Sequence, residues 1–191
     1  MVFVDGGYLR EYLKKKWGND EFSTSVFEQL VRELVGMVYH GQICGELIRI
    51  YYYDAIVDEH EKAERERQQR FFEDLRRLPF CTVRLGSLVK SNAKGYKQKG
   101  VDILMAIDML GKAYEKHYEM AVLVAGDRDF VDLVEAVKNT GARVYGAYIE
   151  NHVAKTLLDS LDNYMIISEK TLEHLAKGKL CMSKDNKSTG T

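Results

Sequence analysis

Short apolar runs alternate along this chain with longer segments of helical spacing, the pattern of βα units wound around a mostly parallel sheet. The apolar runs predict strands at Val2–Asp5, Leu47–Tyr53, Cys81–Leu85, Ala121–Ala125, Arg143–Tyr148 and Met165–Ile167. Helical spacing predicts helices over Gly7–Lys16, Ser25–Tyr39, Asp58–Arg77, Val101–His117, Phe130–Thr140 and His152–Leu161. Ser25 or Thr24 is placed to cap the second helix and Gly141 to end the fifth, while the only proline, Pro79, stops the third. With 191 residues, 46% of them hydrophobic, the chain is long enough to bury one core. Residues 1–176 are expected to form a single domain. The segment 177–191 is expected to be a disordered tail, since from Gly178 onward the sequence is polar and aperiodic.

The formal net charge is -1, from 28 Lys and Arg against 29 Asp and Glu, so the chain as a whole is no electrostatic match for a polyanion. Affinity for nucleic acid has to come from local charge. Cys44, Cys81 and Cys181 are far apart and form no CxxC or Cys/His spacing, which argues against a disulfide framework and a zinc site and fits a reducing compartment. A strand begins almost at Met1, with no basic and apolar leader before it, and no apolar run is long enough to span a membrane. A soluble cytoplasmic protein without a membrane partner is the expectation.

Three acidic pieces carry the chemistry. Asp5 ends the first strand and is followed by Gly6-Gly7, so its carboxylate projects from the carboxyl edge of the sheet where glycines leave room for a ligand. Asp127 and Asp129 follow the buried-looking run Val122–Ala125 and Gly126; two negative charges that close favour a compensating cation. Asp102 lies in the first turn of the helix that starts at Val101. Each has a plain structural reading beside the functional one, because an aspartate after a strand caps the next helix and an anion in a first turn complements the helix dipole. A parallel sheet gathers distant loops at one edge, so Asp5, Asp102, Asp127 and Asp129 converge if the first and fourth strands are neighbours. Carboxylates without histidine or cysteine suit Mg²⁺ or Mn²⁺, which can generate hydroxide and neutralise a phosphodiester during in-line displacement. Asp108 is about 120° around the helix from Asp102 and is expected to pair with Lys112 instead.

Local positive charge lies in the segment Arg84–Lys99, which holds Arg84, Lys90, Lys94, Lys97 and Lys99 and no acidic residue, and runs directly into Asp102. Its Gly, Ser and Asn content suggests a mobile loop at the mouth of the acidic site that holds a phosphate backbone, with Tyr96 stacking on a base. The alternative is an ordinary solvated loop. The charged helix Asp58–Arg77 reads first as a solvent-exposed helix of i,i+4 pairs docked by Phe71, Phe72 and Leu75, and second as an RNA track through Arg65, Arg67 and Arg70.

Taken together, FVDGGYLR at Phe3–Arg10, YYDA at Tyr52–Ala55, KGVDILMAIDM at Lys99–Met109, VAGDRDFVDLV at Val124–Val134 and GARVYG at Gly141–Gly146 resemble the NYN domains of the LabA-like group, within the PIN-like nuclease superfamily. The resemblance implies a Rossmann-like three-layer α/β/α fold with a mostly parallel central sheet and a metal-dependent ribonuclease site. It implies metal ligands at Asp5, Asp102 and Asp127, with Asp129 a close fourth and Asp54 in reserve. Many relatives carry asparagine where Tyr8 stands and serine where Arg128 stands, and Arg128 either contacts a phosphate or faces solvent.

The leading expectation is therefore a nuclease cleaving RNA, most of all single-stranded RNA, with Mg²⁺ or Mn²⁺. The competing one is a catalytically silent nucleic-acid-binding or regulatory module on the same fold, and either leaves a homo-oligomer open. A phosphatase of the haloacid dehalogenase type needs a second aspartate two residues after the first, and Gly7 stands there. No GxGxxG follows a strand, which speaks against a flavin or nicotinamide enzyme.

Overall fold

The computed structural model describes residues 1–19, 21–39, 46–57, 62–91 and 95–178, with backbone only at 38, 39, 89–91 and 95–99. The chain starts with β1 (Val2–Asp5), α1 (Gly6–Trp17), α2 (Thr24–Tyr39), β2 (Ile50–Ile56), α3 (Lys62–Arg76), β3 (Cys81–Ser91) and β4 (Gly95–Lys99). It continues with α4 (Val101–Tyr114), β5 (Met120–Val124), a 3₁₀ turn at Arg128–Phe130, α5 (Val131–Lys138), β6 (Arg143–Ile149), α6 (Lys155–Ser160), β7 (Asn163–Ile167) and α7 (Glu169–Lys177). The strands form one sheet in the order β4-β3-β2-β1-β5-β6-β7. All pairings are parallel except that of β3 with β4.

Alternation along the central strands separates two buried layers. Val2, Val4, Ile50, Tyr52, Val122 and Val124 face the core under α1, α2, α3 and α7, while Phe3, Tyr51, Tyr53, Ala121 and Leu123 face the core under α4 and α5. A strand buried on both faces has no polar side, which is why these segments read as continuous apolar runs. The sheet is thus the middle of three layers, the expected α/β/α architecture.

Strands and helices expected from the sequence recur with end shifts of a few residues, and three segments differ in kind. Over its described residues the segment Arg84–Lys99 is strand and not loop: β3 runs on to Ser91 and pairs antiparallel with β4, from Ser87 opposite Lys99 to Ser91 opposite Gly95. Its lysine-rich composition has low strand propensity, but the ladder of β3 supplies hydrogen-bond partners, and lysines are common on edge strands because they oppose further pairing. The fifth helix opens with a 3₁₀ turn at Arg128–Phe130 rather than as a regular helix. Finally, α7 was not expected; the Ser168 side chain caps it by accepting from Thr171 N, and Gly178 closes it at φ 67°. Cys44, Cys181, Lys94, residues 58–61 and the tail from 179 lie outside the described residues.

The charged helix takes the plain reading. Phe71, Phe72 and Leu75 of α3 are buried, Arg65 donates to the Val57 carbonyl, and Arg67 pairs with Glu64 and Glu21. Behind the sheet edge lies a buried polar knot: Arg10 Nη1 of α1 donates to Asp54 Oδ2 of β2 at 3.1 Å, and Tyr52 OH donates to the same oxygen at 3.0 Å. The Arg10 guanidinium also sits 5.6 Å over Phe71 and 5.7 Å over Phe72, so it ties α1, β2 and α3 together.

At the start of α1, a Cβ on Gly6 would overlap the ring of Tyr52, which is fully buried and has nowhere to swing. Gly6→Ala is expected to destabilise the fold by about 3 kcal/mol, the upper range for overpacking a rigid core. Urea unfolding checks this, and a wild-type midpoint would show that α1 can shift away from β2.

Candidate metal and nucleic-acid site

The site lies where the strand order reverses. β1 pairs with β2 on one side and β5 on the other, with Val4 level with both Tyr52 and Val124, so the turns after β1 and β5 leave the same carboxyl edge. Ligands of open parallel sheets bind in the crevice at such a reversal. Asp5 ends β1 there and Asp127 follows β5 after Ala125 and Gly126. The helix α4, which delivers Asp102 in its first turn, packs over β2 and β3 on the adjoining face.

Asp5 and Asp127 each hold a structural and an electrostatic position. Asp5 Oδ1 accepts from Tyr8 N at 3.0 Å and so caps α1; Asp127 Oδ1 accepts from Asp129 N at 3.1 Å and caps the 3₁₀ turn. One oxygen of each is thereby oriented, leaving the other for a further partner. Burial among protein atoms pushes the Asp5 carboxyl from 3.8 up to about 7; the Tyr8 N–H opposes this, while Asp54, Asp102 and Asp127 add to it through repulsion. Asp102 is raised by burial first and then by Asp127 and Asp129. Asp5 and Asp102 therefore both lie within electrostatic reach of Asp127, whichever role each one has.

Asp54 stands apart from this group. It is 1% exposed, its Oδ2 accepts from Arg10 and Tyr52, and its Oδ1 accepts from Ala55 N at 2.7 Å. With both oxygens engaged, it positions α1 against β2 and is poorly suited to ligate an ion. Asp108 is likewise committed, to Lys112, Arg84 and the Tyr53 hydroxyl, each at 3.1 Å. The expected Asp108–Lys112 pair is present.

Asp5, Asp102, Asp127 and Asp129 offer oxygen donors, which suit a hard divalent cation. Among the described residues no three acidic, histidine or cysteine side chains are gathered into a ready cage for one ion. Mg²⁺ rarely needs such a cage: it keeps several waters and takes one or two carboxylates together with substrate phosphates. On donor chemistry and mutual repulsion the residues fit such an ion.

The basic segment expected from the sequence forms the edge of the sheet, where its backbone is described. Lys90 lies on β3 opposite Tyr96 of β4, Lys97 pairs with Val89, and Lys99 is separated from α4 only by Gly100. The hairpin thus leads straight to the helix turn that bears Asp102. On the other flank Arg128 is exposed next to Asp127 and borders two cavities. One of these, about 390 Å³, is lined by residues that sequence reasoning did not group with the site: Glu11, Tyr12 and Lys15 of α1, and His152. Tyr8, Glu11, Tyr12 and Lys15 recur at helical spacing on one face of α1, a signal that was available; nothing in the sequence ties His152 to them.

Tyr8 takes its place through packing. Its hydroxyl accepts from Ile149 N at 2.8 Å, and its ring lies so close to Gly126 that a Cβ there would overlap it and the His152 carbonyl. Burial raises the Tyr8 phenol well above its usual range.

The model of the NYN domain family matches residues 1–169, nearly the whole described chain. The chain belongs to the NYN domain family. NYN domains are nuclease-like, and the three-layer sheet described above is of the PIN-like kind. No curated protein matches this NYN chain in sequence. Among solved structures it is similar to a protein of unknown function from Vibrio parahaemolyticus, with a TM-score of 0.61 and 19% identity over 88% of this chain and 91% of that one. At that identity the likeness shows a shared fold.

The Asp5 shift has a consequence for stability. A carboxyl raised from 3.8 to about 7 stabilises the folded state while it is protonated, fully below pH 4, and loses that contribution as the pH rises through 7. Asp5→Asn keeps a capping oxygen and removes the charge. At pH 8 it should gain about 1–2 kcal/mol, a few degrees in Tm, with the crevice's partial opening to solvent reducing the full linkage value. Near pH 4 the two proteins should melt together. A variant that is less stable at pH 8 would show that the Asp5 charge is already neutralised by another group.

Proposed function

We propose that this NYN domain is a divalent-metal-dependent ribonuclease of the LabA-like group, acting on single-stranded RNA in the cytoplasm. The observation that carries this reading is the placement of Asp5 and Asp127 in the two turns that leave one edge of the sheet at the strand reversal, with Asp102 in the first turn of the helix over the adjoining strands. A fold keeps like charges together at a cost, and a cation bound among them relieves it. Among the described residues no helix is long and apolar enough to cross a membrane, which fits a domain that meets its substrate in water.

Asp5, Asp127 and Asp102, with Asp129 beside them, would hold Mg²⁺ or Mn²⁺. When bound, the ion supplies Lewis acidity, acidifying water and neutralising phosphodiester charge. The chain's own residues do the rest. The Tyr8 N–H and the Asp129 N–H hold one oxygen of Asp5 and of Asp127, which leaves the second of each to the ion. The lysines of the β3–β4 hairpin hold the RNA backbone electrostatically and bring it along the sheet edge toward Asp102. Arg128, on the far side of Asp127, binds a phosphate next to the one that reacts.

Asp127→Asn tests the assignment without losing the cap, because asparagine caps as well as aspartate. Cleavage of a single-stranded RNA in Mn²⁺ should fall roughly a hundredfold or more, the loss of an ion's direct ligand exceeding that of an outer partner. Cleavage at the wild-type rate would remove Asp127 from the site. Wild-type protein that binds RNA with no turnover in either metal would favour the silent binding module, to which Tyr8 in place of asparagine and the missing three-residue cage also point.

A further inference from the structure

The nuclease reading needs only the acidic crevice and a basic approach, and it leaves unexplained the 390 Å³ pocket that opens beside Asp127 on the α1 side. Its walls combine aromatic rings and cations. Tyr12 and His152 meet edge to face, with ring centroids 4.8 Å apart and planes at 81°. The His152 ring is oriented by its Nδ1, which lies 2.9 Å from the Glu150 carbonyl oxygen, and the Tyr12 ring is backed by Trp17 at 5.9 Å. Lys15 and Arg128 are exposed on the rim, and Asp127 is shared with the acidic crevice. The space is in the lower part of the range for sites that bury a small organic ligand.

We propose that this pocket is a nucleotide subsite: it receives one base of single-stranded RNA against Tyr12 and His152, and Lys15 and Arg128 hold that nucleotide's phosphate. The proposal rests on the nuclease reading for its place beside the reacting phosphate, and on the pocket's own chemistry for its ligand. Aromatic faces attract any base through stacking, so the subsite discriminates base from no base more than one base from another. The rim cations and the shared Asp127 set direction: the base lies on the α1 side and the chain continues past Arg128 toward the hairpin. Glu11, also on the pocket wall, limits the site to one phosphate by repelling a second.

The test is binding of a fluorescent single-stranded RNA decamer to the whole chain in EDTA, where no cleavage occurs, for wild type, His152→Ala and Lys15→Glu. Both positions are exposed, so neither substitution removes core packing. Tyr12→Leu, which retains an apolar side chain at a partly buried position, is the third variant, with its melting curve recorded. His152→Ala and Tyr12→Leu should each weaken binding about tenfold, as expected for loss of a stacking partner. A wholly abasic strand of the same length should bind wild type about as weakly as the decamer binds His152→Ala, and on that strand His152→Ala should cause no further loss. Wild-type affinity in His152→Ala and Lys15→Glu would overturn the subsite, even if Asp127→Asn abolishes cleavage. Weakened binding in those variants, with no cleavage by wild type in Mg²⁺ or Mn²⁺, would instead retain the subsite and reject the nuclease.

Discussion

Parallel pairing of β1 with β5 is the contact on which the candidate site depends. It brings a strand at the start of the chain beside one that begins 118 residues later, and its register sets Val4 level with Val124, so that the two following turns share an edge. Both turns carry an aspartate whose first oxygen caps the next helical segment. Capping is an ordinary local interaction worth about 1 kcal/mol, yet here it also restricts the rotamer of each carboxylate. Structural and functional readings of these residues are therefore not rivals, since the cap provides the orientation a ligand would need.

Holding several carboxylates at one edge requires a stiff frame. Arg10, Asp54 and Tyr52 supply part of it, a buried charged knot between α1 and β2 with bonds of 3.1 and 3.0 Å to one Asp54 oxygen. Such knots contribute little net stability compared with apolar packing, but removing one partner is costly, so they specify a single arrangement. Two close approaches complete the frame: Gly6 lies against the Tyr52 ring, and Gly126 lies against Tyr8 and the His152 carbonyl. Either Cβ would push an aspartate-bearing turn out of register.

Charge is distributed to match. With a net charge of -1 the chain gains nothing from its overall field, and the crevice itself repels a polyanion. The β3–β4 hairpin, whose sequence is basic, forms one end of the sheet, and Arg128 is exposed beside Asp127. The hairpin's lysines have a structural use as well, because charged residues on an edge strand discourage sheet-to-sheet association. A segment that looks like a solvated loop by composition thus becomes strands at the edge of the sheet.

Much of the fold was legible in one dimension. Runs such as Val2–Val4 and Val122–Val124 are apolar because both faces of a central strand are buried, and periodicity records burial directly. The acidic turns, Asp108 with Lys112, and the docking of Phe71, Phe72 and Leu75 followed from local spacing in the same way. The β4 strand did not, because its residues are held by the ladder of β3 and not by their own propensity. The commitment of Asp54 to Arg10 and Tyr52, the seating of Tyr8 against Gly126, and the meeting of Tyr12 with His152 were also beyond reach. Sequence determines which residues are apolar, charged or able to cap, since those properties belong to a residue and its near neighbours. Which distant residues touch is decided by strand order and register, where a shift of one residue would turn every side chain to the other face.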